Sequence, residues 1–157
     1  MDDPILLEPA FFLISGATEC FRCGTSFEAV AIAASLIEGG SAEDCLLSFV
    51  TDLPAEVLAY IQQRFPNYSL KRSDTAELSY YANSCPGCGV IAGDFPLRRP
   101  GHVFWPMNTA AAMLLNVEQI PVEHPISVAA ETDCGSFIAL ILREGHRIDT
   151  PAREARE

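Results

Sequence analysis

Long apolar runs are missing from this chain. Its stretches free of charge and proline reach about a dozen residues at most, and a membrane-spanning helix needs roughly 18 or more. A basic leader is missing as well. The chain opens Met1-Asp2-Asp3-Pro4, acidic where a secretory signal is basic, and Glu8 and Pro9 interrupt the first apolar stretch. The expected location is therefore the cytoplasm. Basic residues are scarce, with 10 Lys and Arg against 21 Asp and Glu and a net charge of −11. Such a field repels phosphate backbones and attracts basic proteins. Histidine is scarcer still. None of the 3 precedes His102, which excludes the His-x-Glu-before-Cys-pair order of zinc deaminases. No glycine-rich phosphate loop is present.

What remains is the composition of a folded domain. Hydrophobic residues make up 49% and charged residues 20% of 157, enough apolar surface to bury a core and too little charge for disorder. The length suits one domain, expected over residues 1–150 with a charged, frayed tail at 151–157.

The six cysteines carry the most information. Cys20-Phe21-Arg22-Cys23-Gly24 and Cys85-Pro86-Gly87-Cys88-Gly89 share one form, Cys-x-x-Cys-Gly. Two intervening residues let both sulfurs of a tight turn face one metal at about 2.3 Å. A glycine after the second cysteine permits the left-handed turn that aims backbone N–H groups at sulfur. One such pair is weak evidence; two of the same form point to a structural Zn²⁺ on Cys20, Cys23, Cys85 and Cys88. A redox dithiol and two disulfides are the alternatives. The first needs a helix directly after the motif, and the second needs an oxidising compartment. With four thiolates the shell is closed, and a catalytic zinc needs an open position. Cys45 and Cys134 stand alone and read as small buried hydrophobes. A Cys134 pair with His124 or His146 is conceivable, but no spacing sets its geometry.

The expected fold is α+β: a zinc-ribbon-like antiparallel β core with a long insertion carrying one clear helix. The insertion is the 61 residues between Cys23 and Cys85. Ala10–Ser15, the first half of Thr25–Leu36, Leu46–Thr51, Tyr68–Lys71, Leu78–Ala82 and Val90–Ala92 read as strands. Glu38-Gly39-Gly40-Ser41 reads as a loop. Asp52–Phe65 reads as the helix. Asp52 is the expected N-cap, Pro54 lies near the first turn, and Val57, Leu58, Ile61 and Phe65 recur on one face. Thr109–Leu115 reads as a short helix, Leu114–Val122 and Ile126–Ala130 as strands. Ser136–Glu144 fits a strand or a helix ended by Gly145, and helix is preferred.

Lys71, Arg72, Arg98, Arg99 and His102 flank the second knuckle among Tyr80, Tyr81, Phe104 and Trp105. The functional reading is a nucleic-acid or acidic-peptide patch. The plainer one is buried aromatics beside solvated arginines.

Residues Tyr80 to Gly89, then Gly93-Asp94-Phe95, Leu97 and Phe104-Trp105-Pro106, resemble a group of uncharacterised bacterial zinc-ribbon-like proteins. The likeness spans residues 10 to 125. It departs at Phe21, where the group's pattern has Trp, and in the Arg98-Arg99 loop. It implies zinc and a bacterial cytoplasmic setting, and no activity.

Three functions compete. The first is a non-catalytic zinc-stabilised interaction module, such as an immunity protein, antitoxin or inhibitor of a basic partner, touching it through Glu38, Glu43, Asp44, Asp52 and Glu56. The second is a nucleic-acid-binding ribbon using the basic patch. The third is an enzyme relying on Cys134, a histidine or Asp94.

Overall fold

The structure, a computed structural model, describes residues 4–38, 41–93, 97 and 99–148. Asp94, Arg98, the tail at 151–157 and the side chain of Glu38 lie outside the described residues.

Strand β1 (Ile5–Glu19) runs antiparallel to β2 (Ser26–Glu38), and β2 to β3 (Ser41–Asp52). Strand β8 (Ile126–Cys134) pairs with β3 along one length and with Ile5–Leu7 of β1 at the other end. These four strands close into a ring. Outside it, β7 (Asn116–Ile120) lies along β1, and β9 (His146–Ile148) lies parallel to β7. On the far side β5 (Leu78–Ser84) meets β3 at Val50↔Tyr81 and carries β4 (Ser69–Ser73) and β6 (Ile91–Ala92).

Alternation along the strands divides the core in two. Successive strand residues point to opposite faces. Leu13, Ile32 and Leu47 therefore join one cluster, while their neighbours Ile14, Ala31, Ala33 and Leu46 join another. Helix α1 (Ala55–Arg64) brings Val57, Tyr60 and Ile61 to the first, and α3 (Ser136–Glu144) brings Ile138 and Ile141 to the second. Strands covered on both faces read as near-continuous apolar runs, which explains the composition of Thr25–Leu36. Each fully buried Leu or Ile contributes about 1.5–3 kcal/mol.

The structure is α+β and mostly antiparallel, and it differs from expectation in four places. The segment between the knuckles is not an appendage: β2 and β3 are the middle of the sheet. Asp52 does not cap α1. It is the last residue of β3, paired with Ala129, and Pro54 takes the cap position with φ −58° and no side-chain cap bond. The ladder claims Asp52 because β3 runs on to it from Ser41. Strand β9 was unanticipated, since three residues carry no periodic signal. Helix α3 spans the residues expected of it and ends where Gly145 donates its N–H to the Ile141 carbonyl at 2.8 Å, while a shorter α2 covers Thr109–Ala112.

The fourth difference concerns sulfur. Cys45 and Cys134 are not isolated: they form a disulfide across β3 and β8, at directly opposed positions with Cα atoms 4.2 Å apart. Cys45 is buried and Cys134 exposed. The pairing depends on register over 89 residues of separation, which no local pattern reveals.

Candidate metal centre

The first knuckle is the tip of the β1–β2 hairpin, and the second is the tip of β5–β6. Both are built alike. Gly24 donates its N–H to the Cys20 carbonyl and Gly89 to the Cys85 carbonyl, each at 2.9 Å. The Cys20 N–H bonds the Thr25 carbonyl at 2.8 Å and the Cys85 N–H that of Val90 at 2.9 Å. Gly24 and Gly89 sit at φ +78° and +80°, the left-handed conformation that any Cβ opposes. A turn closed in this way turns both of its sulfurs to the same side.

The two tips meet. Cys20 Sγ lies 3.6 Å from Cys88 Sγ, and Cys23 Sγ lies 3.5 Å from Cys85 Sγ. All four sulfurs fall within 4.8 Å of one another. A tetrahedron with metal–sulfur bonds of about 2.3 Å has edges of about 3.8 Å, so the cluster needs only small adjustments to hold a metal ion. Cys20 and Cys85 are buried, and Cys23 and Cys88 face solvent. Backbone N–H groups of Arg22 and Gly87 point at Cys20 Sγ (3.4 Å) and Cys85 Sγ (3.3 Å). The Thr25 hydroxyl lies 3.0 Å from Cys23 Sγ. Such contacts orient ligands and stabilise thiolate charge.

Three of the thiols are displaced from the ordinary thiol value. Cys23 is brought down to about 6, first by the Thr25 hydroxyl and then by the Thr25 backbone. Cys20 is lowered, chiefly by the backbone at Cys23, against the effect of burial. Cys88 moves the other way. The Val90 backbone favours its thiolate, yet burial and the three other cysteines together push it up to about 11. Four negative sulfurs this close cannot coexist unless a positive charge sits among them. A divalent ion held by the four sulfurs would supply that charge.

The remaining predicted residues are distributed over several elements. Asp44 and Asp52 stand eight residues apart on β3, with a register shift against β8 between Ser48 and Asp52. Asp44 accepts the Ser35 hydroxyl at 3.0 Å, and Glu43 is exposed. Asp52 is exposed, and Glu56 lies 2.9 Å from His124 Nε2. Of the basic patch, Lys71 and Arg72 lie on β4, with Arg72 3.9 Å from Asp74. Arg99 lines a different cleft from Arg72, and His102 is exposed. Tyr80 and Phe104 are buried, and Trp105 is stacked on Phe137 at 4.8 Å between ring centres. Few of these rings are open to a nucleobase. Cys134, joined to Cys45, is not a thiol nucleophile in this state.

Sequence reasoning missed Thr25, although its place directly after Gly24 was a usable signal. It also missed Glu131 and Asp133, two exposed carboxylates on one face of β8 that only the β3–β8 register sets beside Ser48.

Among the described residues no helix is long and apolar enough to cross a membrane. No family model, curated protein or solved structure matches the chain.

Proposed function

We propose that the chain is a zinc-stapled, non-catalytic interaction module that binds a basic protein. The reading rests on the closed set of four sulfurs. An all-cysteine tetrahedron suits Zn²⁺, as it does iron, and leaves the metal no open position for substrate; zinc is the ion we propose. A ribbon-like role for the paired hairpin tips, as in the bacterial group the knuckles resemble, belongs to the same proposal. The net charge of −11 favours a positively charged partner, with a Zn²⁺ on four thiolates adding two more negative charges. An immunity protein, antitoxin or inhibitor of a nuclease with a basic cleft fits this description. The favoured contact residues remain Glu43, Asp44, Asp52 and Glu56, of which Glu43, Asp52 and Glu56 are exposed.

For the compartment we retain the cytoplasm, where the knuckle thiols stay reduced. The Cys45–Cys134 bridge argues the other way, because such bonds persist in oxidising surroundings. Thiol counting on protein prepared under non-reducing, thiol-blocking conditions separates the two: the cytoplasmic reading expects Cys45 and Cys134 free in the cell.

The function is tested by metal analysis followed by affinity capture from the source cell. One zinc per chain and a basic protein whose association rate falls steeply with salt are the expected results. Turnover of a small molecule at the knuckles, or tight salt-sensitive binding of generic RNA or DNA, defeats the reading.

A further inference from the structure

The Cys45–Cys134 pair is furnished for two states. Cys45 is paired on both sides, with Ala34 of β2 and with Cys134 of β8. The pairs Leu46↔Asp133, Leu47↔Thr132 and Ser48↔Glu131 continue the ladder beside it and hold that register without help from sulfur. The two cysteines therefore face each other whether or not they are joined. Cys45 Sγ also lies 3.5 Å from the Glu43 carbonyl, within reach of an S–H···O bond. With the bridge open, the buried Cys45 thiol has an acceptor in place.

The two sulfurs differ in access. Cys45 is fully buried, whereas Cys134 is exposed at the end of β8. Cys134 also lines a cleft of about 740 Å³ between β8, the Arg99–Trp105 loop and the start of α3. That volume falls within the roughly 300–1,000 Å³ of small-ligand sites. A small thiol entering the cleft meets one sulfur of the bridge and not the other. Exposed bridges are the labile and regulatory ones, and bridges in a reducing compartment are mostly transient.

We infer that Cys45 and Cys134 form a reversible redox couple, cycled through this cleft by a low-molecular-weight thiol and its disulfide. In reduction a small thiolate attacks Cys134 Sγ, the bridge breaks, and Cys45 leaves with the electron pair and takes up a proton. A second small thiolate attacks the mixed disulfide. Cys134 leaves and is protonated, and the two small thiols depart as their own disulfide. Two electrons pass to the protein. Oxidation reverses these steps: Cys134 attacks the small disulfide, and Cys45 then closes the bridge and expels the second small thiol. The inference goes beyond the protein-binding role and requires neither the partner nor the metal.

Glutathione is the probe. Purified protein is equilibrated in buffers of reduced and oxidised glutathione, quenched with acid, alkylated and weighed. The thiol count should step from six to four as the buffer becomes oxidising, with Cys45 and Cys134 the pair lost on peptide mapping. The curve should fit a two-electron step and be the same from either direction. Trp105, the only tryptophan, lines the same cleft, and a disulfide quenches a nearby indole. Its emission should fall with the same midpoint as the bridge forms. In oxidised glutathione, Cys45→Ser should carry an adduct on Cys134, and Cys134→Ser should carry none on Cys45. The titration of the unaltered protein stands whether or not these variants fold. A bridge that persists in excess reduced glutathione is structural and overturns the proposal. So do cysteines 45 and 134 that never join in oxidised glutathione, loss of the knuckle thiols in the same step, an adduct on Cys45, or a Trp105 emission that ignores the step.

Discussion

The molecule has two sulfur centres that obey different rules. In the knuckles each pair of cysteines is three residues apart, its geometry is set by one turn, and Gly24 and Gly89 hold both turns in the same conformation. In the Cys45–Cys134 bridge the partners are 89 residues apart and meet only because β3 and β8 pair in one register. The first centre is local chemistry brought together twice. The second is a consequence of the finished sheet. A local motif thus carries its chemistry into the fold, whereas a lone cysteine acquires its chemistry from the fold.

The largest effect that separates them is expected at the knuckles. Cys23→Ser or Cys88→Ser should reduce zinc to well below one per chain and destabilise by several kcal/mol, part of the ~10–16 kcal/mol typical of structural zinc. Plasma emission for metal and denaturant unfolding for stability give the readout. Metal-free protein with unchanged stability would remove the distinction. Next comes the bridge. Where it is formed, replacing Cys45 and Cys134 together by Ala should cost about 2–5 kcal/mol while metal content stays constant. Loss of zinc in that variant would show that the two centres are coupled.

A smaller effect is expected from Thr25→Val, which removes the hydroxyl from Cys23 Sγ. Zinc affinity measured against a competing chelator should fall about tenfold, at the low end of outer-shell effects. The smallest is Gly24→Ala compared with Gly89→Ala. An added Cβ meets nothing within 4 Å at either site, so the cost is conformational alone, about 1 kcal/mol each. Unequal costs, measured as shifts in unfolding midpoint, would break the likeness between the two knuckles.

The same division runs through the fold. Helix α1 was legible because Val57 and Ile61 recur at helical spacing, and both are buried. Its start was misread because Asp52, a good cap by residue type, belongs to a ladder with Ala129 that sequence does not display. Helix α3 was half legible: its apolar run fitted a strand as well as a helix, and Gly145 marked the stop. The ring closed by β8 was not, since pairing one strand with two distant ones leaves no periodic trace. Another feature outside sequence reach is the buried Glu118 of β7, held by the Tyr60 hydroxyl and by Arg64 at 2.9 Å, both from α1, far away in the chain.

By itself the sequence determined which four cysteines are the candidate metal ligands, most strand and helix positions, and the net acidity. Each follows from nearest-neighbour facts: the spacing of a turn, the period of a helix or strand, a sum of charges. Only the tertiary structure decided that Cys45 meets Cys134 and that Glu131, Asp133, Arg99 and Trp105 share one cleft. Those outcomes depend on strand register, and register is fixed by the burial of two apolar faces at once, a property of the whole sheet.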